Sequence, residues 1–219
     1  MARTLTHAEA RRAYDRIGSL QDTQAFYEDA TTRELVEHGE FSKASRVFEF
    51  GCGTGRFAES LLASRLGPQA TYRGIDLSPT MVGLATARLA RFGARAGVAL
   101  SEGGPPSGEP DAGYDRWVSN FVLDLLADDE IDAVLAEAHR MLVPRGLLCL
   151  ASLSVGAAWY TRAIAGAWSA VHRLSPELVG GCRPIEIVPR LSAARWRIVH
   201  HRALASFLVP SEAVVAVRL

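Results

Sequence analysis

The sequence predicts an α/β protein, with a mostly parallel sheet covered by helices on both faces and closed by an antiparallel pair of strands. Three observations predict it. Short apolar runs alternate with helical patterns from residue 45 to residue 153, the rhythm of linked βαβ units. A glycine-rich turn, Gly51-Cys52-Gly53-Thr54-Gly55, joins the first of those runs to the first of those helices. Two β-rich runs, 196–202 and 207–218, close the chain on a link too short for a parallel crossover, so they must pair antiparallel.

The elements follow in order. Residues 7–38 carry helical patterns, with Ala10, Ala13, Tyr14 and Ile17 on one stripe and Ala25, Phe26, Ala30 and Leu35 on another. Gly39 and Ser42 interrupt them, which divides the chain into a helical cap over 1–40 and the α/β domain over 41–219. Strand 45–50 feeds a helix over 55–66, whose Phe57, Ala58, Leu61, Leu62 and Leu66 recur at helical spacing before Gly67-Pro68 ends it. After strand 70–75, Ser78 and Pro79 suit the cap and first turn of a helix that turns Met81, Leu84, Ala85 and Leu89 inward. Strand 97–101, a glycine- and proline-rich loop over 102–113 and strand 116–120 come next. A helix over 128–142 packs Ile131, Val134, Leu135, Ala138 and Leu142, and Pro144-Arg145-Gly146 turns into strand 147–153. The rhythm then breaks at a helical stretch, 157–174, that carries Trp159, Tyr160, Ile164, Trp168 and Val171.

Composition limits what such a chain can be. A length of 219 residues suits one α/β domain with a small cap, and 48% hydrophobic residues exclude a disordered chain. Lysine plus arginine and aspartate plus glutamate number 24 each, which argues against a general nucleic-acid binder. Cys52, Cys149 and Cys182 are odd in number and widely spaced, with neither zinc spacing nor a disulfide framework, so no metal is expected. No apolar stretch reaches membrane-spanning length and the start is not that of a signal peptide. A cytoplasmic protein, monomer or homodimer, is expected.

The functional signal is the glycine turn together with Asp76, which ends the next strand in Tyr72-Arg73-Gly74-Ile75-Asp76-Leu77-Ser78-Pro79. That separation places a carboxylate where a βαβ nucleotide fold engages ribose hydroxyls. A dinucleotide loop needs glycine at 56, where this chain has Arg56. The run Glu49-Phe50-Gly51-Cys52-Gly53-Thr54-Gly55 instead resembles motif I, E-x-G-x-G-x-G, of the class I S-adenosylmethionine (SAM) dependent methyltransferases. Asp76 matches that family's acidic residue after the second strand. The resemblance runs from about residue 44 onward, and its nearest flavour is the ubiquinone and menaquinone C-methyltransferase group. It implies a Rossmann-like seven-stranded sheet in the order 3-2-1-4-5-7-6 with strand 7 antiparallel, SAM as cofactor and S-adenosylhomocysteine as product.

The resemblance also implies roles. The backbone from Gly51 through Cys52, Gly53 and Thr54 to Gly55 would meet the amino-acid tail of SAM. Asp76 would accept from both ribose hydroxyls, and Leu77 and Met81 would sandwich adenine. Glu49 would orient the loop and the ammonium, or else bond backbone N–H groups of the cap. Cys52 reads as a small packing residue, with a reactive thiol as the alternative. Where the family carries E-G-D-A after strand 3, this chain reads Ser101-Glu102-Gly103-Gly104-Pro105, with Gly104 at the usual aspartate. Glu102, Ser101 or a backbone carbonyl would then take the adenine amino group, and the N–H groups of Gly103 and Gly104 could reach the ring. Asn120 and Phe121 follow strand 4 at the switch point, where the methyl should emerge; the absence of N-P-P-Y there disfavours planar-nitrogen acceptors. Tyr14-Asp15-Arg16-Ile17 is similar to a segment with which the C-methyltransferases close a helix over SAM.

Methyl transfer needs no metal or covalent nucleophile, and it needs a base only if the acceptor must lose a proton. The candidates are His172, His200, Asp124 and Tyr14, although each histidine reads first as a packing or surface residue. His200 and His201 are adjacent in a strand and face opposite ways. Residues 155–190 form an insertion where acceptors are recognised. Trp159, Tyr160 and Trp168 line an apolar pocket there or bury themselves against the cap, and Arg183 pairs with an acceptor anion or holds a turn. The acceptor is expected to be a small or lipid-like molecule. The alternatives are a non-catalytic SAM-binding protein and a nicotinamide-dependent oxidoreductase, the latter opposed by Arg56 and the antiparallel end pair.

Overall fold

The computed structural model describes residues 4–219, apart from the side chains of residues 24–27, so the expected placement of Ala25 and Phe26 lies outside what is described. Seven strands form one sheet: β1 (Arg46–Phe50), β2 (Thr71–Asp76), β3 (Ala96–Leu100), β4 (Tyr114–Asn120), β5 (Leu142–Leu153), β6 (Trp196–Ser206) and β7 (Val209–Arg218). Their order is β3-β2-β1-β4-β5-β7-β6. Neighbours from β3 to β5 run parallel, whereas β7 is antiparallel to both β5 and β6. The strand order is the one the resemblance implies.

The sheet is buried from both sides. Val47, Val118, Cys149, Ala151 and Val215 face a core completed by α2 (Ala25–His38), α3 (Arg56–Ser64) and α4 (Pro79–Leu89). Phe48, Phe50, Trp117, Leu148 and Val214 face a second core completed by α5 (Asp128–Met141) and residues 185–196. Large side chains at 0% exposure, such as Phe48, Trp117 and Leu148, each contribute roughly 1.5–3 kcal/mol on burial. Central strands buried on both faces explain why β1 reads as a continuous apolar run rather than an alternation. The one interruption of that run is Glu49.

Local chemistry sets the helix starts. Ser78 accepts from the N–H of Met81 at 3.1 Å and Pro79 occupies the first turn of α4. Three carboxylates, Asp128, Asp129 and Glu130, sit in the first turn of α5, where the helix dipole favours negative charge. Several boundaries differ from expectation. α5 ends at Met141, and β5 begins at once with Leu142 paired to Tyr114. Pro144-Arg145-Gly146 is therefore an irregularity inside a strand, with Arg145 at φ 66°. A 3-10 segment, Gly18–Gln24, separates α1 (His7–Ile17) from α2.

The N-terminal helices differ in kind. α2 packs against β5, β6 and β7, its Leu35 has 0% exposure, and Thr31 shares a hydrogen bond of 2.7 Å with Ser211 of β7. α1 has no fully buried residue and rests on α4. No helix among the described residues is long and apolar enough to cross a membrane.

Candidate cofactor site

A cavity of about 460 Å³ opens at the C-terminal ends of β1, β2 and β4, the edge at which open α/β sheets bind ligands. Its wall contains Glu49, Gly51, Cys52, Gly53, Thr54, Asp76, Leu77, Gly103, Gly104, Asn120 and Phe121, and Tyr14 of α1. Three residues expected there lie outside the lining. Gly55 is packed under α4, Met81 has 0% exposure beneath the floor, and Glu102 points to solvent. Ser101 takes the place foreseen for Glu102, lining the cavity and accepting from the N–H of Gly103 at 3.1 Å.

The three glycines of the turn all adopt positive φ, 73°, 52° and 77° at Gly51, Gly53 and Gly55, but for different reasons. A Cβ at Gly51 would strike Val122 at 2.3 Å, and one at Gly55 would press on Ala85 of α4 at 3.1 Å. A Cβ at Gly53 would meet no protein atom within 4 Å. Gly51 and Gly55 thus permit close packing, whereas Gly53 presents bare backbone to the cavity.

Asp76 organises this turn. One carboxylate oxygen accepts from the N–H of Gly53 at 2.8 Å and the other from the N–H of Ser78 at 2.9 Å. Burial pushes its carboxyl up, while the N–H groups of Ser78, Gly53 and Leu77 pull it down. Glu49 is only 2% exposed and accepts from the Tyr72 hydroxyl at 2.6 Å and from the Asn120 amide at 3.0 Å. It therefore bonds side chains of β2 and β4, not backbone N–H groups of the cap. Burial drives its carboxyl up to about 7 against the pull of those two hydrogen bonds. The remaining Asn120 oxygen is buried without a hydrogen-bond partner. Phe121 turns the chain at φ 53°, its N–H held by the Ala151 carbonyl at 2.8 Å. The Cys52 thiol is driven well above its ordinary range, first by burial and then by Asp76 and Glu49, which makes it a packing residue and not a nucleophile.

The N-terminal segment is tied to this site by three aspartates. Asp15 accepts from the Ser78 hydroxyl at 2.5 Å. Asp22 accepts from the Thr54 hydroxyl at 2.5 Å and pairs with Arg88 at 2.7 Å. Asp29 pairs with Arg56 at 2.7 Å. His7, which bonds Glu130 at 2.7 Å, covers Gly103 so closely that a Cβ there would lie 2.6 Å from its ring. Sequence reasoning named Asp15 only within the Tyr14–Ile17 segment and missed Asp22, Asp29 and His7. The even spacing of Asp15, Asp22 and Asp29 along a helical segment was the available signal.

On the acceptor side none of Trp159, Tyr160, Trp168 and Arg183 lines the cavity, and Arg183 takes the structural role that was its alternative reading. Trp159 is 81% exposed and Tyr160 44% exposed, stacked edge-to-face on each other outside the cavity. Arg183 donates to the Leu126 carbonyl and to Asp128, both at 2.9 Å, and so secures the start of α5. Trp168 is partly buried on the core and donates to the Cys182 carbonyl at 2.9 Å. The apolar lining of the cavity is instead supplied by Leu5, Phe57, Val122, Leu125 and Leu126. Of the base candidates, Tyr14 alone lines the cavity. Asp124 is fully buried, accepts from the N–H of Leu153 at 3.0 Å and is raised to about 7 by desolvation. His172 is buried against the Gly181 carbonyl, and His200 lies between α2 and β6.

Comparison with known proteins agrees with this geometry. Residues 48–148 match the model of a methyltransferase domain. A malonyl-[acyl-carrier protein] O-methyltransferase of Laribacter hongkongensis is 31% identical over 158 residues, which make up 67% of this chain and 50% of the relative. The chain thus spans half the length of that curated relative. Among solved structures, the [4+2]-cyclase SpnF superposes with a TM-score of 0.75 at 16% identity, over 98% of this chain and 97% of its own. The N-methyltransferase NodS of Bradyrhizobium japonicum, solved with S-adenosylhomocysteine, gives 0.67 at 18% identity, over 95% and 98%. At such identities these two structures share the fold. The methyltransferase-domain match and the curated methyltransferase relative support a class I SAM-dependent methyltransferase with SAM as cofactor, and the two solved structures agree with it in fold.

Proposed function

We propose that this protein transfers the methyl group of SAM to a small acceptor held against the apolar side of the cavity. The observation that carries the reading is Gly53, a left-handed glycine with open space beside it, fixed by the same Asp76 carboxylate that ends β2. A ligand tail can lie on that backbone, and the second lone pair on each Asp76 oxygen is available to a ribose hydroxyl. Glu49, once ionised, and the unpaired Asn120 oxygen would hold the ammonium. Leu77 and the Gly103–Gly104 backbone would face adenine. SAM supplies an activated methyl on a sulfonium, so the chain's own contribution is orientation and exclusion of water.

The cavity lining supports a reading of the acceptor class. Leu5, Val122, Leu125 and Leu126 suit a lipid-like or short acyl group. The relative acts on malonyl-[acyl-carrier protein] as an O-methyltransferase, and a carboxylate acceptor needs no base because it is ionised at neutral pH. That agrees with a lining in which the one histidine among the described residues, His7, is engaged by Glu130. We therefore place a carboxylate on a short acyl chain first among acceptors.

Calorimetry with S-adenosylhomocysteine tests the cofactor site. Asp76→Ala removes two charge-assisted hydrogen bonds to ribose, each about 1.5–3 kcal/mol, so affinity should drop at least tenfold. Unchanged affinity would remove the assignment. Release of S-adenosylhomocysteine on incubation with SAM and acyl thioesters bearing a free carboxylate tests the acceptor. Binding without turnover on carboxylates, fatty acids or quinones would instead support a non-catalytic SAM-binding protein.

A further inference from the structure

Away from the cavity, α2 and β6 bring together three groups that the methyl-transfer reading does not use. Glu34 and His38 are one helical turn apart on α2 and project from the same face. His200 reaches them from β6, just after a shift of register between Ile198 and His200; such irregularities re-aim a side chain. One oxygen of Glu34, Oε2, lies 3.0 Å from His200 Nε2 and 3.7 Å from His38 Nε2. The other, Oε1, is taken by Arg202 at 2.7 Å. The three donor atoms lie within 4.8 Å of one another.

We infer that Glu34, His38 and His200 form a binding site for a transition-metal ion of the zinc, cobalt or nickel type, which clips α2 to β6. Two imidazole nitrogens and one carboxylate oxygen are the donor set these ions prefer, whereas magnesium and calcium take oxygen. Metal–ligand bonds of about 2.1 Å put tetrahedral donor atoms roughly 3.4 Å apart, and the two Glu34–histidine distances of 3.0 and 3.7 Å bracket that spacing. Glu34 is anchored, with 9% of its side chain exposed, and His200 is nearly as enclosed at 17%. The two rings are stacked at 3.6 Å with an interplanar angle of 12°. An ion must lie in the plane of each imidazole, so His38, 45% exposed, turns out of the stack on binding and leaves a fourth position to water. The site would act at a distance. The opposite face of α2 carries Glu28, Asp29 and Thr32 into the cavity wall, so fixing α2 against β6 also fixes that wall.

The experiment uses the untagged full chain, stripped with a chelator and titrated with Zn²⁺ and Co²⁺ without SAM, so that it stands or falls independently of the methyl-transfer reading. One equivalent should bind, Co²⁺ should develop the visible bands of a tetrahedral site, and Zn²⁺ should raise the melting temperature. His200→Ala should abolish binding. His38→Ala, at a half-exposed position, should weaken binding at least tenfold and remove most of the Zn²⁺-induced rise in melting temperature, measured against its own metal-free value. His201→Ala is the control, because His201 faces the other way and bonds Glu212 at 3.0 Å; its affinity should equal that of the wild type. Equal binding by the wild type and His38→Ala, or saturation only at millimolar metal, would overturn the site.

Discussion

At the scale of single residues, the consequential group is the Glu49 carboxyl, buried at the end of β1 and raised to about 7. Its unfolded value is near 4.5, so the folded chain keeps its proton longer than the unfolded one. Its contribution to stability is therefore greatest below pH ~4.5 and falls as pH rises toward ~7, by on the order of 3 kcal/mol for a group so enclosed. Asp124, also raised to about 7, adds in the same direction. Melting curves between pH 5 and 8 should slope downward. Glu49→Gln should flatten part of that slope because glutamine does not titrate, while the Asn120 amide can flip to accept from the new side chain; an identical slope would show that Glu49 does not titrate in this window. A ligand ammonium favours the ionised form, so S-adenosylhomocysteine should bind about tenfold more tightly at pH 8 than at pH 6. Calorimetry in two buffers should register proton release, and both effects should vanish in Glu49→Gln.

At the scale of elements, the β1–α3 turn separates packing from binding within five residues. Gly53→Ala and Gly55→Ala both force alanine into a left-handed conformation, at about 1–2 kcal/mol. Only Gly55→Ala also presses a Cβ onto Ala85, at 3.1 Å. Gly55→Ala should lower the melting temperature more, while Gly53→Ala should lose more S-adenosylhomocysteine affinity, since its methyl intrudes where the ligand lies. Thermal denaturation and calorimetry on the same two proteins decide it, and a matching loss of affinity in both would mean that Gly53 has no ligand-facing role. The start of α5 gives a companion case. Arg183→Ala strips a donor from the Leu126 carbonyl and from Asp128, an effect of roughly 1–3 kcal/mol. It should lower the melting temperature and leave acceptor KM unchanged; a raised KM at unchanged stability would return Arg183 to the acceptor.

Across the whole molecule, the N-terminal segment joins two regimes. α2 is part of the helical layer on the sheet, whereas α1 is held by polar links, Asp15 to Ser78 and His7 to Glu130, with no fully buried residue. Few buried apolar contacts mean a low free energy of local opening, which is what a lid over a cofactor requires. Hydrogen exchange should show residues 10–30 gaining protection when S-adenosylhomocysteine binds, more in α1 than in α2. Protection that is unchanged in α1 would mean that ligand binding and this segment are uncoupled.

The sequence by itself determined the sheet's alternation, the glycine turn, Asp76 and the cap of α4, because each depends on residues near one another in the chain: a strand, a turn with positive φ, a capping hydroxyl. The strand order was legible through family resemblance, since motif spacing carries topology that periodicity alone does not. Tertiary structure decided the rest. Whether Trp159 enters a pocket or faces solvent depends on where α6 (Trp159–Leu174) lies against β7, which no local pattern encodes. Arg183 could serve an anion or hold a turn, and the start of α5 within 2.9 Å of it decides for the second. Glu49 was legible as a buried carboxylate, but its partners Tyr72 and Asn120 come from β2 and β4. The Glu34–His38–His200 cluster joins a helix near the start of the chain to a strand near its end. Burial and long-range hydrogen bonding act through space, so they fix the partners of such residues only once the chain has closed on itself.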